Sequence, residues 1–115
     1  MSVTIYYNPR CSKSRQTLQL LRDKGVEPDI VEYLKTPPSV AEIAQLLGLL
    51  GMAPRDLMRK KEAPYSERGL ADGSLSDADL IAAMHDAPVL IERPIVVKGK
   101  KAVLGRPPEN VLDLL

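Results

Sequence analysis

Val3-Thr4-Ile5-Tyr6-Tyr7-Asn8-Pro9-Arg10-Cys11-Ser12-Lys13-Ser14-Arg15 is the stretch on which the reading of the fold turns. Its first five residues form a near-continuous apolar run, as expected of a strand buried on both faces. Its end feeds a helical pattern over residues 14 to about 24, with Leu18 and Leu21 on one side and Leu20 adjacent. Cys11 is the one cysteine among 115 residues, and it falls at the joint between strand and helix. The first N–H groups of a helix lack internal partners, and the macrodipole places partial positive charge there. A thiolate is favoured in that place, and the thiolate is the reactive form of cysteine. An unperturbed thiol titrates at about 8.5, and a helix N-terminus or cationic neighbours bring it to roughly 3.5–7.5. Arg10, Lys13 and Arg15 add positive charge nearby. The Asn-Pro before and the Ser-Lys-Ser after are polar and turn-prone, unlike the setting of a buried, inert cysteine. The stretch reads as a nucleophile, an anion cradle, or both.

Outward from this joint, Gly25 stops the helix in the usual place for a C-terminal glycine. Pro28 leads into a second strand over 29–34. Strand, helix and strand within about 30 residues make a βαβ unit, hence a parallel pair. Thr36-Pro37-Pro38 is a break. Ser39, with Glu42 three residues on, is a capping box that opens a helix carrying Val40, Ile43, Ala44, Leu47 and Leu50. Gly48 and Gly51 make its end ragged. Pro54 opens a short helix with Arg55, Leu57, Met58 and Arg59, and Pro64 ends it. Residues 68–74 are loop. Ser76 with Asp79 caps a further helix holding Leu80, Ile81 and Met84. His85 falls in its last turn, where a cation suits the dipole, so it reads as a cap-region residue and not as a catalytic base.

After Glu92-Arg93, Pro94 can begin a strand but not sit inside one. Ile95-Val96-Val97, the Lys98-Gly99-Lys100 turn and Lys101-Ala102-Val103-Leu104 read as an antiparallel hairpin. Pro107-Pro108-Glu109 opens a final helix with Val111, Leu112 and Leu115 as its apolar stripe. The order is β-α-β, a helical insertion at about 38–88, then β-β-α. A parallel pair joined to an antiparallel hairpin is a thioredoxin-like arrangement of the α/β class, a single domain over 1–115 with a four-stranded mixed sheet.

Composition narrows the function. The formal net charge of +1 gives no bulk electrostatic case for nucleic acid or a membrane surface. There is no Phe or Trp, so the core is built from Leu, Ile, Val, Ala and Met, and base-stacking platforms are not expected. A single cysteine excludes an intramolecular disulfide and suits a cytoplasmic protein. The N-terminus lacks the basic and apolar regions of a signal peptide, and no apolar run approaches a membrane span. One Cys and one His cannot supply a zinc site alone, so no bound metal or cofactor is expected.

The motifs then meet a known family. The stretch from Tyr7 to Arg15 resembles the catalytic loop of the glutaredoxin-linked ArsC-type arsenate reductases. So do Leu57-Met58-Arg59-Lys60, Glu92-Arg93-Pro94-Ile95-Val96-Val97 and Gly105-Arg106-Pro107-Pro108-Glu109. Separated motifs in the right order, covering essentially the whole chain, are far more specific than one cysteine loop. The resemblance implies that Cys11 is the nucleophile and that Arg59, Arg93 and Arg106 hold the oxyanion. Pro94 would be the cis-proline of thioredoxin-like folds, with Arg10 and Ser14 in supporting places. It also implies glutathione as co-substrate, glutaredoxin as partner, and arsenate or a similar oxyanion as substrate.

Two departures stand out. Tyr7 occupies the place where some members carry a histidine, and Ser12-Lys13 replaces a Gly-Thr common in the loop. Both place the chain nearer the uncharacterised ArsC-like branch than the dedicated resistance enzymes. Two other function classes stay open at this point. Cys11-x-x-Ser14 is also the pattern of a monothiol glutaredoxin-like redox protein. The non-enzymatic Spx regulators share the fold, although they often carry a second cysteine where Ser14 stands.

Overall fold

A computed structural model describes residues 2–115. The chain divides into two compact units: the residues up to Thr36 together with Arg93–Leu115, and Pro37–Glu92.

The first unit holds β1 (Val3–Tyr7), α1 (Ser12–Asp23), β2 (Asp29–Glu32), β3 (Ile95–Lys98), β4 (Lys101–Leu104) and a 3₁₀ helix, Pro108–Leu114. The sheet order is β2-β1-β3-β4. β1 runs parallel to β2 and antiparallel to β3, and β3 pairs antiparallel with β4. This is the mixed four-stranded sheet of a thioredoxin-like fold. The β3–β4 loop has two residues, and Gly99 alone takes a positive φ, of 61°. That is the backbone a two-residue hairpin favours when glycine comes first. Val3, Ile5 and Val96 of the sheet pack with Leu18 and Leu21 of α1 and with Val111 and Leu114, forming one apolar core.

Register carries this fold to its functional end. Tyr7 pairs with Glu32, Tyr6 with Ile95, and Ile95 with Leu104. The residues just beyond these pairs therefore gather at one end of the sheet: the loop to Cys11, the turn after Glu32, Arg93-Pro94 and Gly105-Arg106. Four segments remote in sequence meet because strand pairing leaves them no other place.

Several boundaries differ from the sequence reading. α1 begins at Ser12, two residues early, because Cys11 takes an extended backbone (φ −95°, ψ 121°) and serves as N-cap. Its carbonyl accepts from Arg15 N–H at 3.1 Å, which closes the first turn. β2 ends at Glu32, short of 34, because the Glu32 carbonyl accepts from both Lys35 and Thr36 N–H and turns the chain. The last helix is 3₁₀, with three residues per turn. Its buried side is Pro108, Val111 and Leu114, while Leu112 and Leu115 of the expected stripe are exposed.

The second unit holds α2 (Val40–Leu50), α3 (Pro54–Leu57), α4 (Ala63–Glu67), α5 (Asp77–Asp86) and a 3₁₀ turn at Pro88–Leu90. Both expected capping boxes form, Ser39 with Glu42 and Ser76 with Asp79. Gly51 closes α2 in the left-handed region at φ 66°. Ile43, Leu46 and Leu47 are the buried face of α2, whereas Val40 lies exposed. α5 packs against α2 and α3. α3 stops at Leu57. Met58 leaves it to pair with Ile91 as an isolated antiparallel bridge. Pro64 does not end a helix here. It lies in the first turn of α4, where its fixed φ suits a helix start and its missing N–H costs nothing. His85 is exposed in the last turn of α5, with Nδ1 2.8 Å from the Pro38 carbonyl oxygen. Among the described residues, no helix is long and apolar enough to cross a membrane.

Candidate active site

Cys11 sits where β1 hands the chain to α1. The turn between them is built by Asn8. Its carbonyl accepts from Cys11 N–H at 3.0 Å and its Oδ1 accepts from Arg10 N–H at 3.0 Å. Its own N–H donates to the Ser14 hydroxyl at 3.3 Å. Asn8 is nearly buried and Ser14 fully so. Arg15 reaches back and donates from Nη1 to the Pro9 carbonyl at 2.8 Å. The loop is thus held at both ends, and the sulfur is left half-buried at the helix start.

Burial pushes the Cys11 thiol up, but four hydrogen bonds more than reverse it. In order of weight these come from the Ser14 backbone N–H, the Arg93 side chain, the Ser14 hydroxyl and the Lys13 backbone N–H, and together they bring the thiol down to about 7. The sequence placed this depression at the helix N-terminus, and the backbone donors are of that kind. It credited the wrong cations. Arg10 is exposed and Arg15 is engaged with Pro9, whereas Arg93 arrives from the start of β3.

The remaining residues are placed as follows. Arg93 is half-buried and reaches the Cys11 sulfur. The Arg93–Pro94 bond is cis, as is Arg106–Pro107. Arg106 is exposed and donates from Nη1 to the Arg93 carbonyl at 3.0 Å, which ties the two arginine-bearing loops together. Ser14 touches the thiol directly, whereas Arg10 makes only the Asn8 turn. Arg59 belongs to the second unit. There its Nη1 donates to Glu92 Oε1 at 2.6 Å, with Glu62 at 3.7 Å from Nε. With Lys60, Lys61, Asp56 and Glu92 it lines a cavity of about 380 Å³. Arg59 is a partly buried cation between two carboxylates.

Sequence reasoning missed three supports. Asn8 carries three hydrogen bonds of the loop, and its place before a proline is the signal that could have marked it. Gly105 passes so close to α1 that a Cβ there would lie 2.6 Å from Thr17 Oγ1 and 2.9 Å from Pro94 Cγ. Thr17 is fully buried, with its hydroxyl 3.5 Å from the Gly105 carbonyl. No spacing rule exposes that contact, because it joins positions 88 residues apart.

A thiol half-ionised near neutrality, with an arginine beside it and helix N–H groups around it, can attack an electrophile and hold an anion at once. Comparison with known proteins bears on which anion. The profile of the ArsC family matches residues 6–114. An uncharacterised Escherichia coli K-12 protein, YfgD, is 58% identical over 98% of this chain and 96% of its own length. A Rhizobium meliloti protein named arsenate reductase is 49% identical, covering all of this chain and 82% of itself. A solved structure titled arsenate reductase from Vibrio cholerae superposes with a TM-score of 0.97 at 53% identity, covering 100% of this chain and 98% of that one.

Proposed function

This chain belongs to the ArsC family, and on that footing we propose that it reduces arsenate to arsenite through a covalent adduct on Cys11. The single observation that carries the reading is the setting of the sulfur. It is a thiol brought to about 7 by helix N–H groups, the Ser14 hydroxyl and Arg93.

Arsenate is a multiply charged oxyanion near neutral pH, so an attacking thiolate meets like charge. Arginine relieves this, because its planar fork donates paired hydrogen bonds to an oxyanion. Arg93 serves both partners, first the sulfur and then the arsenic-bound oxygens. Arg106, tied to the Arg93 carbonyl, extends the cradle, with Pro94 setting the loop that carries Arg93, and the family resemblance assigns Arg59 to the same oxyanion. The Cys11 sulfur forms a bond to arsenic and a hydroxide leaves, taking a proton to become water. Glutathione thiolate then attacks the Cys11 sulfur. The S–As bond breaks with its electron pair on arsenic, so As(V) becomes As(III) and arsenite departs. The two sulfurs are left as a Cys11–glutathione disulfide, each oxidised by one electron. Glutaredoxin attacks the glutathione sulfur and returns Cys11 as thiolate. One cysteine in the chain means that the resolving thiol comes from outside.

The test is arsenate-dependent NADPH oxidation coupled through glutathione, glutathione reductase and glutaredoxin. The intact protein should turn over, while Cys11→Ser and Arg93→Ala should not. An intact protein silent towards arsenate, with Cys11 still reactive, would refute the substrate and leave a thiol redox protein on this fold.

A further inference from the structure

Beside the Cys11 loop lies a groove of about 420 Å³ in the first unit. This is within the roughly 300–1,000 Å³ of ordinary small-ligand sites. Tyr7, Pro9 and Arg10 line it, together with Glu32, Leu34 and Lys35 from the end of β2 and its turn. Arg93 also lines it, and the Arg93 side chain hydrogen-bonds the Cys11 sulfur. One residue therefore belongs both to the groove and to the thiol. The mechanism above uses Arg93 but leaves the rest of the groove without a task.

The groove's chemistry is mixed and ordered. Leu34 is 43% exposed and gives the groove apolar surface. Lys35 Nζ stands 3.7 Å from Glu32 Oε1, a loose and solvated pair of opposite signs. Arg10 adds a further cation to the lining. A simple oxyanion has no use for Glu32. A small zwitterion with more negative than positive groups fits this set: two or three cations, one carboxylate and a patch of apolar surface. A γ-glutamyl tripeptide thiol has two carboxylates, one ammonium and methylenes between them.

We propose that this groove is the docking site of glutathione, with Lys35 and Arg10 taking its carboxylates, Glu32 its ammonium and Leu34 its methylenes. The proposal rests on the thiol chemistry assigned to Cys11 above, and it adds where the resolving thiol waits. Glu32 and Lys35 are specificity-determining residues. They select which thiol reaches the sulfur without taking part in the bond changes.

The test leaves arsenate out. Cys11 is first converted with DTNB to its thionitrobenzoate mixed disulfide. Added thiol attacks the Cys11 sulfur and expels thionitrobenzoate, which is read at its yellow absorbance. Rates are compared for glutathione, for its analogue lacking the α-ammonium (glutaryl-cysteinyl-glycine), and for 2-mercaptoethanol, each corrected for thiolate fraction. Expected in the intact protein is a saturable preference for glutathione over 2-mercaptoethanol. Lys35→Glu should cut the glutathione rate roughly fivefold at low salt, as expected for reversing one solvated charge contact, with 2-mercaptoethanol unchanged. Glu32→Gln should erase the preference for glutathione over its deamino analogue. If glutathione shows no saturation, or if Lys35→Glu moves both thiols equally or neither, the groove is not its site. Because arsenate never enters, a protein inactive as a reductase that still shows the preference supports the groove and ends the arsenate reading alone.

Discussion

Replacing Ser14 with alanine separates the two tasks of one buried hydroxyl. Ser14 donates to the Cys11 sulfur and accepts the Asn8 N–H at 3.3 Å, with no exposure to water. The intact thiol, at about 7, is half thiolate at neutral pH. A free thiol of pKa about 8.5 is roughly 3% ionised there, so the whole local environment amounts to about a sixteenfold gain in reactive form. Ser14→Ala removes one of four donors and keeps the backbone N–H groups and Arg93. Iodoacetamide alkylation at pH 7 should therefore slow several-fold, but by less than the full factor. Above about pH 9.5 both proteins are ionised, and the variant should match or slightly exceed the intact protein, since a more basic thiolate is the better nucleophile. The same change leaves the Asn8 N–H buried without an acceptor, at a cost of roughly 1–3 kcal/mol. Linkage fixes the sign of the pH effect. The folded thiol titrates below the unfolded one, so its contribution to stability is fully present above about 8.5 and is lost as pH falls through about 7. The variant's stability should vary less across that window. An intact protein whose alkylation midpoint stands at 8.5 or higher, or a variant whose midpoint does not move, would refute the reasoning.

Arg93→Ala should raise the Cys11 alkylation midpoint, since its side chain is among the donors that lower it; an unmoved midpoint would remove Arg93 from the sulfur. Gly105→Ala should destabilise the fold by roughly 1–3 kcal/mol in urea titration, because the new Cβ meets Thr17 and Pro94 well inside contact distance and both are buried. Arg59→Ala takes the 2.6 Å partner from Glu92, itself about a quarter exposed, and should lower stability by about 1–2 kcal/mol; Arg59→Lys should restore only part of it. Ser39→Ala removes an exposed capping box from α2 and should cost about 1 kcal/mol while leaving the Cys11 alkylation profile untouched.

What the sequence revealed follows from how local each cause is. β1, the βαβ unit, both capping boxes and the glycine-turned hairpin rest on neighbours a few residues apart, and all were legible. Their order was enough to place Cys11 at a helix start and to name the sheet. The misses have longer-range causes. Met58 belongs to a bridge with Ile91, so tertiary pairing ended α3 where periodicity would have continued it. The C-terminal stripe was read at 3.6 residues per turn, and the chain packs at three. The cation beside Cys11 was sought within four residues and came from position 93, delivered by strand register. The pairing of Arg59 with Glu92 left no local signal either, because the two lie 33 residues apart.

The gathering of four remote segments at one end of the sheet has a bearing on the life of the chain before it is complete. Arg93 and Gly105-Arg106 lie in the last quarter of the sequence, and Cys11 near its beginning. During synthesis the cysteine emerges early, without the strand that brings Arg93 to it, and an unassembled α1 is too short to hold its own N-terminus. Until β3 docks on β1 the sulfur lacks the Arg93 donor, one of the hydrogen bonds that lower its pKa. Full reactivity thus waits on a segment made about 80 residues after the cysteine, so that the rate of Cys11 alkylation is itself a chemical readout of whether β3 has docked.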